Sequence, residues 1–284
     1  MMQKMIFSWF LPAVSHRYYR EFATTTIKMK DKIPRLLLFD IDGTLTKSHY
    51  KDSVNGHPMA RALSEAFGKS IKRNAISFAG GTDRSIIRDV LQGNGITEDN
   101  TTDYEKRVIE TLRILPEFMR TGIAEGNYSW SALPNVHKLL QRLSQIEDVR
   151  LALLTGNIVE DARIKLECAS IDISLFEVES SDGKKELLGA FGSDHEVRSK
   201  LVPFAKKRYS DLIGQQVLSQ DMIIIGDSPK DITCAHDNGV ACVAVGTGPS
   251  SYEHLTDADH LLKDGFKNID ESIDVILRTK IMSS

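Results

Sequence analysis

The chain has 284 residues, enough for one large or two modest domains with a substantial core. Apolar residues make up 41% and charged residues 26% of it, which excludes disordered, collagen-like and coiled-coil classes for the chain as a whole. The formal net charge of −3 gives no sequence-wide reason to bind nucleic acid, and no run of about 18 apolar residues predicts a membrane-spanning helix. We therefore expect neither a nucleic-acid nor a membrane partner.

Residues 1–34 have the composition of a targeting segment. Their lysines and arginines are accompanied by only one acidic residue before position 31, Glu21, and by several serines and threonines, which is typical of a mitochondrial transit peptide. The tetrad Arg20-Glu21-Phe22-Ala23 resembles the Arg-x-aromatic-small pattern at which matrix proteases cut. The sequence therefore predicts a mitochondrial protein, with a secretory signal over Met5–Val14 or a plain extension of a cytoplasmic protein as alternatives.

From Arg35 onward the chain predicts an α/β fold with a parallel sheet. Short apolar runs, each ending in a turn signal, predict strands that are buried on both faces over Arg35–Phe39, Val149–Leu154, Met222–Ile225 and Ala241–Val245. Helical patterns cover 134–145, 158–169, 196–213 and 229–238, and a final stretch predicts an edge strand at 258–262 and a helix at 266–280. Strands that alternate with helices in this way indicate βαβ units.

Residues 47–133 do not follow this alternation. They contain helical patterns over 57–67, 83–91 and 102–119, separated by glycine-containing breaks, and no convincing buried strand. We predict a helical cap over 47–133, inserted into a sheet domain formed by 35–46 and 134–284. Because ligands bind at the carboxyl ends of the strands in an open α/β sheet, this cap is placed to act as a lid.

Acidic and hydroxyl side chains follow three of the predicted strands, where the fold requires only a turn. Asp40 and Asp42 follow the first strand, Thr155 follows the second, and Asp227 and Asp231 follow the strand at 222–225. Each of them alone also fits a turn or a helix start. Together, four carboxylates at one sheet edge would repel one another unless a cation offset them, and oxygen ligands without a nearby His or Cys favour Mg²⁺.

Mg²⁺ in turn points towards phosphate chemistry. Asp40 and Asp42 project the same way from the end of one strand, because they are two positions apart. One carboxylate can bind the metal and attack phosphorus, while the next exchanges a proton with the departing oxygen. The Thr155 hydroxyl and backbone N–H groups near Gly43 and Gly156 can hold the phosphoryl oxygens.

These residues form a set of four motifs. They are Asp-Ile-Asp-Gly-Thr at 40–44, the strand-terminal Thr155, a basic residue before the strand at 222–225, and Gly-Asp-Ser at 226–228 followed by Asp231. The set resembles the motifs of the haloacid dehalogenase (HAD) superfamily, and the helical insert resembles the C1 cap of its phosphoglycolate-phosphatase-like branch. The resemblance covers nearly all of the chain from Arg35 and implies a Rossmann-like core with strand order 5-4-1-2-3.

The resemblance also implies roles for individual residues. Asp40 would be the nucleophile that forms an aspartyl-phosphate, and Asp42 the general acid and then the general base. Mg²⁺ would be bound by the Asp40 carboxylate, the Asp42 main-chain carbonyl and Asp227, with Asp231 as an additional ligand, and Thr155 would bind phosphate. The implied activity is hydrolysis of a small phosphorylated metabolite, with phosphoglycolate as the first candidate. A phosphosugar mutase of the same superfamily and a non-catalytic phosphometabolite-binding protein are the alternatives.

The third motif departs from its usual form. The family places a Lys before the helix that precedes the fourth core strand, where it neutralises the nucleophile and the phosphate. Here the segment 192–200 offers Arg198 and Lys200, and we favour Arg198 because some members of the family resemble this chain in using Arg. An Arg would bind the phosphoryl oxygens bidentately, whereas a Lys would act as a point charge.

A glycine-led segment of the predicted cap is a candidate for substrate contact. Relatives in the family often place a specificity loop where this chain has Gly80-Gly81-Thr82-Asp83-Arg84. Arg84 and Arg88 are therefore candidates to touch the substrate, although a helix start explains the segment equally well.

Overall fold

A computed structural model describes residues 33–51, 57–72, 79–180 and 183–281. Nearly all of the predicted N-terminal extension, residues 1–32, lies outside the described residues, so the transit peptide stays a prediction. In the described part of the chain, no helix is both long and apolar enough to cross a membrane.

The chain forms one strand of the main sheet and then leaves it for the inserted cap. The elements of this first part are β1 (Arg35–Phe39), β2 (Thr46–Tyr50), α1 (Pro58–Phe67), α2 (Asp83–Gly93), α3 (Tyr104–Ala124) and β3 (Tyr128–Ala132). The three helices begin within two residues of the predicted positions, and α1 packs against α3.

The insert contains a pair of strands, where the sequence predicted no convincing buried strand. β2 and β3 pair in antiparallel orientation, from Thr46 opposite Ala132 to Tyr50 opposite Tyr128. Tyr128 and Trp130 are buried, whereas Ser129 between them is exposed. The ribbon is therefore buried on one face only, and its alternating pattern differs from the continuous apolar runs of the main sheet.

The rest of the chain completes the main sheet and its covering helices. Its elements are α4 (Val136–Ser144), β4 (Val149–Leu154), α5 (Val159–Cys168), β5 (Glu177–Glu179), β6 (Lys185–Leu187), β7 (Gly189–Ala190), α6 (Leu201–Ile213), β8 (Met222–Gly226), α7 (Pro229–His236), β9 (Ala241–Val245), β10 (His260–Leu262) and α8 (Ile269–Arg278). β5 and β6 form a small antiparallel pair of their own.

The main sheet is parallel throughout and has the strand order β10-β9-β8-β1-β4-β7. With β10 as an added edge strand, this is the order 5-4-1-2-3 that the family resemblance implies. Successive side chains of β1 point to opposite faces: Leu37 and Phe39 join the core that includes α4, α5 and α8, whereas Leu36 and Leu38 join the core that includes α6 and α7. The predicted α/β fold with a sheet covered on both sides is confirmed.

One close contact fixes the cap helix α3 against the ribbon. Gly122 lies on the ring of Tyr128, and a Cβ atom added to Gly122 would come within 1.9 Å of that ring. Tyr128 is itself 3% exposed, and its hydroxyl donates to the Phe118 carbonyl of α3. The absence of a side chain at Gly122 therefore allows the helix and the strand to pack closely.

We expect Gly122→Ala to destabilise the protein by about 1–3 kcal/mol, because the buried Tyr128 ring must move. At an exposed position inside a helix, replacing Gly with Ala stabilises a protein by about 1 kcal/mol. The expected effect at Gly122 therefore has the opposite sign. Thermal unfolding followed by circular dichroism measures the effect. Thr121→Ala, at an exposed position of the same turn, is the matched control, and an unchanged or higher midpoint for Gly122→Ala contradicts the packing argument.

Candidate active site

A cavity of about 620 Å³ lies at the carboxyl ends of β1, β4 and β8. This volume suits a small-molecule ligand. The residues predicted for the site that line it are Asp40, Asp42, Thr155, Gly156, Arg198 and Asp227. Cap residues from both strands of the ribbon and from the segment 79–83 complete the wall. The sheet topology thus brings together side chains that are up to 187 positions apart.

Asp40, Asp227 and Asp231 form a buried carboxylate cluster. Each offers one oxygen, and these three oxygens all lie within 4.8 Å of one another. Burial, together with the charges of the neighbouring carboxylates, raises the pKa of Asp40 to about 6 and that of Asp227 to about 8. Three buried oxygen ligands whose charges repel one another fit a hard divalent cation such as Mg²⁺, which would offset this repulsion.

The backbone at two glycines packs closely against the Asp227 carboxylate. A Cβ atom added to Gly43, whose φ is +83°, would lie 2.4 Å from Asp227 Oδ2, and one added to Gly248 would lie 1.7 Å from the same oxygen. The Thr44 hydroxyl donates to Asp227 Oδ1 at 3.2 Å, and the Thr247 hydroxyl donates to the Gly43 carbonyl at 2.6 Å. The loop after β9 is therefore a wall of the site, a role that the sequence analysis did not predict.

Of the two basic candidates, the structure places Arg198 in the site. Its Nη2 lies 2.5 Å from Asp231 Oδ1 and 3.2 Å from Asp40 Oδ2. Burial opposes its charge, but these carboxylates hold the pKa of Arg198 above its usual range. Lys200 is exposed and does not border the cavity, because residues two apart on the 3₁₀ helix at 198–200 point in different directions. Arg198, which the sequence analysis favoured, is therefore the better candidate of the two, and its binding of phosphate stays a prediction.

Asp42 has partners of its own. Its Oδ2 accepts hydrogen bonds from Lys165 Nζ at 2.6 Å and from Asn157 Nδ2 at 2.9 Å. Burial alone would raise the pKa of Asp42. The Lys165 charge and these hydrogen bonds together outweigh burial, so the pKa of Asp42 lies below its usual range. Asn157 Nδ2 also donates to Thr155 Oγ1 at 2.7 Å. Asp42 is therefore ionised in the free protein, and a hydrogen-bonded chain joins it to Thr155.

Hydrogen bonds join the cap to the core next to Thr155, the residue of the second motif. The Asp83 N–H donates to the Gly156 carbonyl at 2.7 Å, and Asp83 Oδ2 accepts from the Ile158 N–H at 2.8 Å. A Cβ atom added to Gly156 would come within 1.8 Å of the Gly81 carbonyl oxygen. Gly156 thus allows the cap segment to approach the core backbone closely enough for these hydrogen bonds to form.

The cap contributes one acidic and one basic side chain to the cavity wall, Asp83 and Lys47, but neither of the two arginines that the sequence suggested. Arg84 pairs with Glu105 and Arg88 pairs with Glu196, and neither arginine borders the cavity. The expectation that they touch the substrate is therefore not met by this arrangement. Asp83 borders the cavity in their place.

Several polar residues that border the cavity had no role in the sequence analysis, and four of them contact or lie near Asp42 or Thr155. They are Asp83, Asn157, Asp161 and Lys165. Asn157 belongs to the Thr-Gly-Asn sequence that ends β4, which is a usable signal. Asp161 and Lys165 are four positions apart on α5, a spacing that is also typical of a solvent-exposed ion pair and so does not single them out.

We expect the affinity for Mg²⁺ to rise between pH 6 and pH 8. In the free protein the raised pKa values of Asp40, about 6, and Asp227, about 8, mean that protons compete with the cation in this range. Isothermal titration in buffers of different ionisation enthalpy measures both the affinity and the protons released. Asp227→Asn is expected to weaken binding and to reduce proton release, and an affinity that does not change with pH contradicts the assignment of these ligands.

The sequence matches the family model of haloacid dehalogenase-like hydrolases over residues 34–239. A predicted phosphatase from Clostridium acetobutylicum has a TM-score of 0.53 at 19% identity, and the match covers 86% of this chain and 100% of that chain. A β-phosphoglucomutase from Clostridium difficile has a TM-score of 0.51 at 14% identity, covering 85% and 99% of the two chains. A predicted phosphoglycolate phosphatase from Haemophilus somnus has a TM-score of 0.50 at 18% identity, covering 85% and 98%.

At these identities, the likeness to the solved structures shows the fold alone. A search of curated protein sequences finds no significant match to this chain. The family model, in contrast, spans more than half of the chain and includes Asp40, Asp42, Thr155, Arg198 and Asp227. The chain belongs to the haloacid dehalogenase-like hydrolase family.

Proposed function

We propose that the protein is a Mg²⁺-dependent phosphatase that hydrolyses a small phosphate monoester through an aspartyl-phosphate on Asp40. The observation that carries this proposal is the buried cluster of Asp40, Asp227 and Asp231 with Arg198 beside the nucleophile. The cluster supplies oxygen ligands for a divalent cation, and the guanidinium offsets charge where a phosphoryl group would bind. Membership of a hydrolase family is consistent with this chemistry.

In the first step, an Asp40 carboxylate oxygen attacks phosphorus, and the bond between phosphorus and the leaving oxygen breaks. A phosphate dianion beside Asp42 raises the pKa of that carboxyl, so that Asp42 can carry a proton and give it to the leaving oxygen. Arg198, Thr155 and Gly156 border the cavity, and in this proposal the guanidinium, the Thr155 hydroxyl and the Gly156 N–H bind the phosphoryl oxygens.

In the second step, water attacks the phosphorus of the aspartyl-phosphate and the bond to Asp40 breaks, which releases inorganic phosphate. Asp42, in the ionised form that Lys165 and Asn157 favour, takes the proton from the attacking water. Asp40 and Asp227 would hold Mg²⁺, with Asp231 and the Asp42 carbonyl as further ligands, and the bound ion would supply positive charge to the phosphoryl oxygens. The cap segment that contacts Gly156 keeps bulk water away from the site.

We expect Asp40→Asn to lower Mg²⁺-dependent hydrolysis of p-nitrophenyl phosphate at least about 1,000-fold, because the amide cannot act as the nucleophile. Chelation of divalent cations should abolish the wild-type activity, and added Mg²⁺ should restore it. Asp211→Asn, which removes an exposed carboxylate that does not border the cavity, is the control and should leave the rate unchanged.

Two results would contradict this assignment. If pure wild-type protein releases no phosphate from any monoester in Mg²⁺, a non-catalytic binding protein becomes the better description. If it interconverts sugar phosphates faster than it releases phosphate, the enzyme is a mutase. Both measurements use the same phosphate-release assay, together with chromatography of the sugar phosphates.

Arg198→Ala should lower kcat/KM about 100- to 1,000-fold, since it removes a positive charge 3.2 Å from the nucleophile. Lys200→Ala is the matched control and should change kcat/KM less than twofold, because Lys200 is exposed outside the cavity. Arg198→Lys should recover part of the rate, as a point charge replaces the bidentate group. Circular dichroism confirms that each variant is folded, and equal mild losses in the two alanine variants would remove Arg198 from the site.

A further inference from the structure

The cavity extends from the phosphate-binding motifs into the cap, where its wall changes from polar to apolar. Six apolar side chains of the cap border it: Pro58 and Met59 of α1, Ile86 of α2, Leu115 and Met119 of α3, and Trp130 of β3. We name these six residues the apolar subsite. Three helices and one strand of the cap contribute to it, and none of its residues has a role in the proposed phosphoryl transfer.

The apolar subsite is continuous with the hydrophobic core of the cap. Met59, Ile86, Leu115, Met119 and Trp130 belong to one cluster of buried hydrophobic residues. Leu115 and Met119 are four positions apart on α3 and therefore lie on the same face of that helix. Each of the five residues keeps between 2% and 7% of its surface exposed and also borders the cavity. A ligand that extends into the cap would therefore contact apolar side chains.

Two polar rings adjoin the apolar subsite, and both pack within the cap. His57 Nδ1 accepts the Met59 N–H at 3.2 Å at the start of α1, and its ring centroid lies 4.9 Å from that of Tyr50. The Tyr50 ring in turn meets Trp130 edge to face, with 6.0 Å between the centroids. His57 and Tyr50 both border the cavity, so their rings add flat surface to its wall.

The cap offers little to a charged leaving group. In the described part of the chain, the Asp, Glu, Lys and Arg side chains of the cap that border the cavity are Lys47 and Asp83. Lys47 is exposed, and Asp83 accepts the Ile158 N–H of the core at 2.8 Å. A charge that entered the apolar subsite would lose its hydration against apolar side chains, which is costly without an ion-pair partner there.

The size of the cavity also argues for an extended leaving group. Its volume of about 620 Å³ lies in the range of pockets that bury most of a drug-sized ligand. A phosphoryl group at Asp40 with a two-carbon leaving group would leave much of this volume to water beside apolar side chains. A hydrocarbon group that reached the apolar subsite would remove that water from apolar surface on both sides, which is favourable.

We propose that the leaving group is a hydrocarbon chain or ring that extends into the apolar subsite, so that the enzyme prefers phosphate monoesters of apolar alcohols to those of short hydroxy acids such as phosphoglycolate. This inference rests on the proposed phosphatase function. The six side chains act in it as specificity-determining residues that touch the leaving group and take no part in the chemical step.

The first experiment varies the length of the leaving group. Ethyl, butyl, hexyl and octyl phosphate present the same reacting atoms, so differences within the series report contacts remote from the phosphoryl group. Phenyl and 2-naphthyl phosphate make the same comparison with rings. Titration calorimetry of the Asp40→Asn protein in Mg²⁺ measures binding, and phosphate release by the wild type measures kcat/KM.

We expect binding and kcat/KM to rise about two- to fourfold for each methylene that enters the apolar subsite, so that hexyl phosphate exceeds ethyl phosphate at least about 16-fold. The heat-capacity change of binding should become more negative along the series, because apolar surface is buried. 6-Phosphooxyhexanoate, which carries a carboxylate at the end of a six-carbon chain, should fall at least about tenfold below hexyl phosphate. 2-Naphthyl phosphate should bind more tightly than phenyl phosphate.

The second experiment tests the residues themselves. Met119→Gln keeps an unbranched side chain but makes it polar, and should lower kcat/KM for hexyl phosphate about three- to tenfold while changing that for ethyl phosphate less than twofold. Ile86→Phe places a larger side chain at the cavity wall and should move the preferred chain to a shorter length. Ile109→Gln, at an exposed position of α3 that does not border the cavity, is the matched control. Circular dichroism confirms that each variant is folded.

The outcomes separate the two proposals. If binding to Asp40→Asn strengthens with chain length but the wild type releases no phosphate, the phosphatase function fails and the apolar subsite stands. If phosphate is released but neither binding nor kcat/KM depends on chain length, or if both substitutions affect all esters alike, the apolar subsite is overturned and the phosphatase stands. A preference for 6-phosphooxyhexanoate or phosphoglycolate over hexyl phosphate also overturns the apolar subsite. If the protein neither binds nor hydrolyses any ester, both proposals are overturned.

Discussion

Electrostatic repulsion among carboxylates is the constraint around which the site is built. Parallel strands bring their carboxyl ends to one edge of the sheet, and in this chain the residues that follow β1 and β8 are acidic. Asp40, Asp227 and Asp231 would drive one another apart if nothing compensated their charge. Arg198 does so in part, and it is positioned for this because Asp231 binds its side chain at 2.5 Å and directs it towards Asp40. Protons bound at Asp40 and Asp227 offset more of the repulsion in the free protein, and a cation would replace them in the proposed metal-bound form.

The cap is coupled to this edge through hydrogen bonds to the core backbone as well as through charged side chains. Asp83 forms hydrogen bonds with the backbone of Gly156 and Ile158, the two neighbours of Asn157. The Thr82 hydroxyl donates at 2.6 Å to the carbonyl of Glu196, two residues before Arg198. The Gly81 carbonyl oxygen lies so close to Gly156 that a side chain at position 156 would not fit. The cap segment at 79–83, which borders the cavity, is therefore linked directly to the parts of the core that bear Thr155 and Arg198, so a movement of the cap would act on both.

Strong local patterns explain why much of this arrangement can be predicted from the sequence. The continuous apolar runs of β1, β4, β8 and β9 identify the sheet, and the acidic residues after them identify its functional edge, while the strand order followed only from the family resemblance. The β2–β3 ribbon was missed because it is buried on one face. Lys165 was missed because its contact with Asp42 joins residues 123 positions apart. The helical pattern around Lys165 gives no information about a partner so distant in sequence. The choice between Arg198 and Lys200 likewise depends on which side chain the short 3₁₀ helix at 198–200 directs into the cavity, and the sequence does not show this.

The confinement of Asp227 also bears on the size of the metal ion that the site accepts. Gly43 and Gly248 lie against the carboxylate so closely that neither leaves space for a methyl group, and Asp227 therefore has little freedom to withdraw. Mg²⁺ binds oxygen at about 2.0–2.1 Å in octahedral geometry, whereas Ca²⁺ requires about 2.3–2.6 Å and often more ligands. In the proposed magnesium site, a carboxylate that cannot retreat would favour the smaller ion. The backbone of two loops would then take part in the discrimination between these two abundant cations.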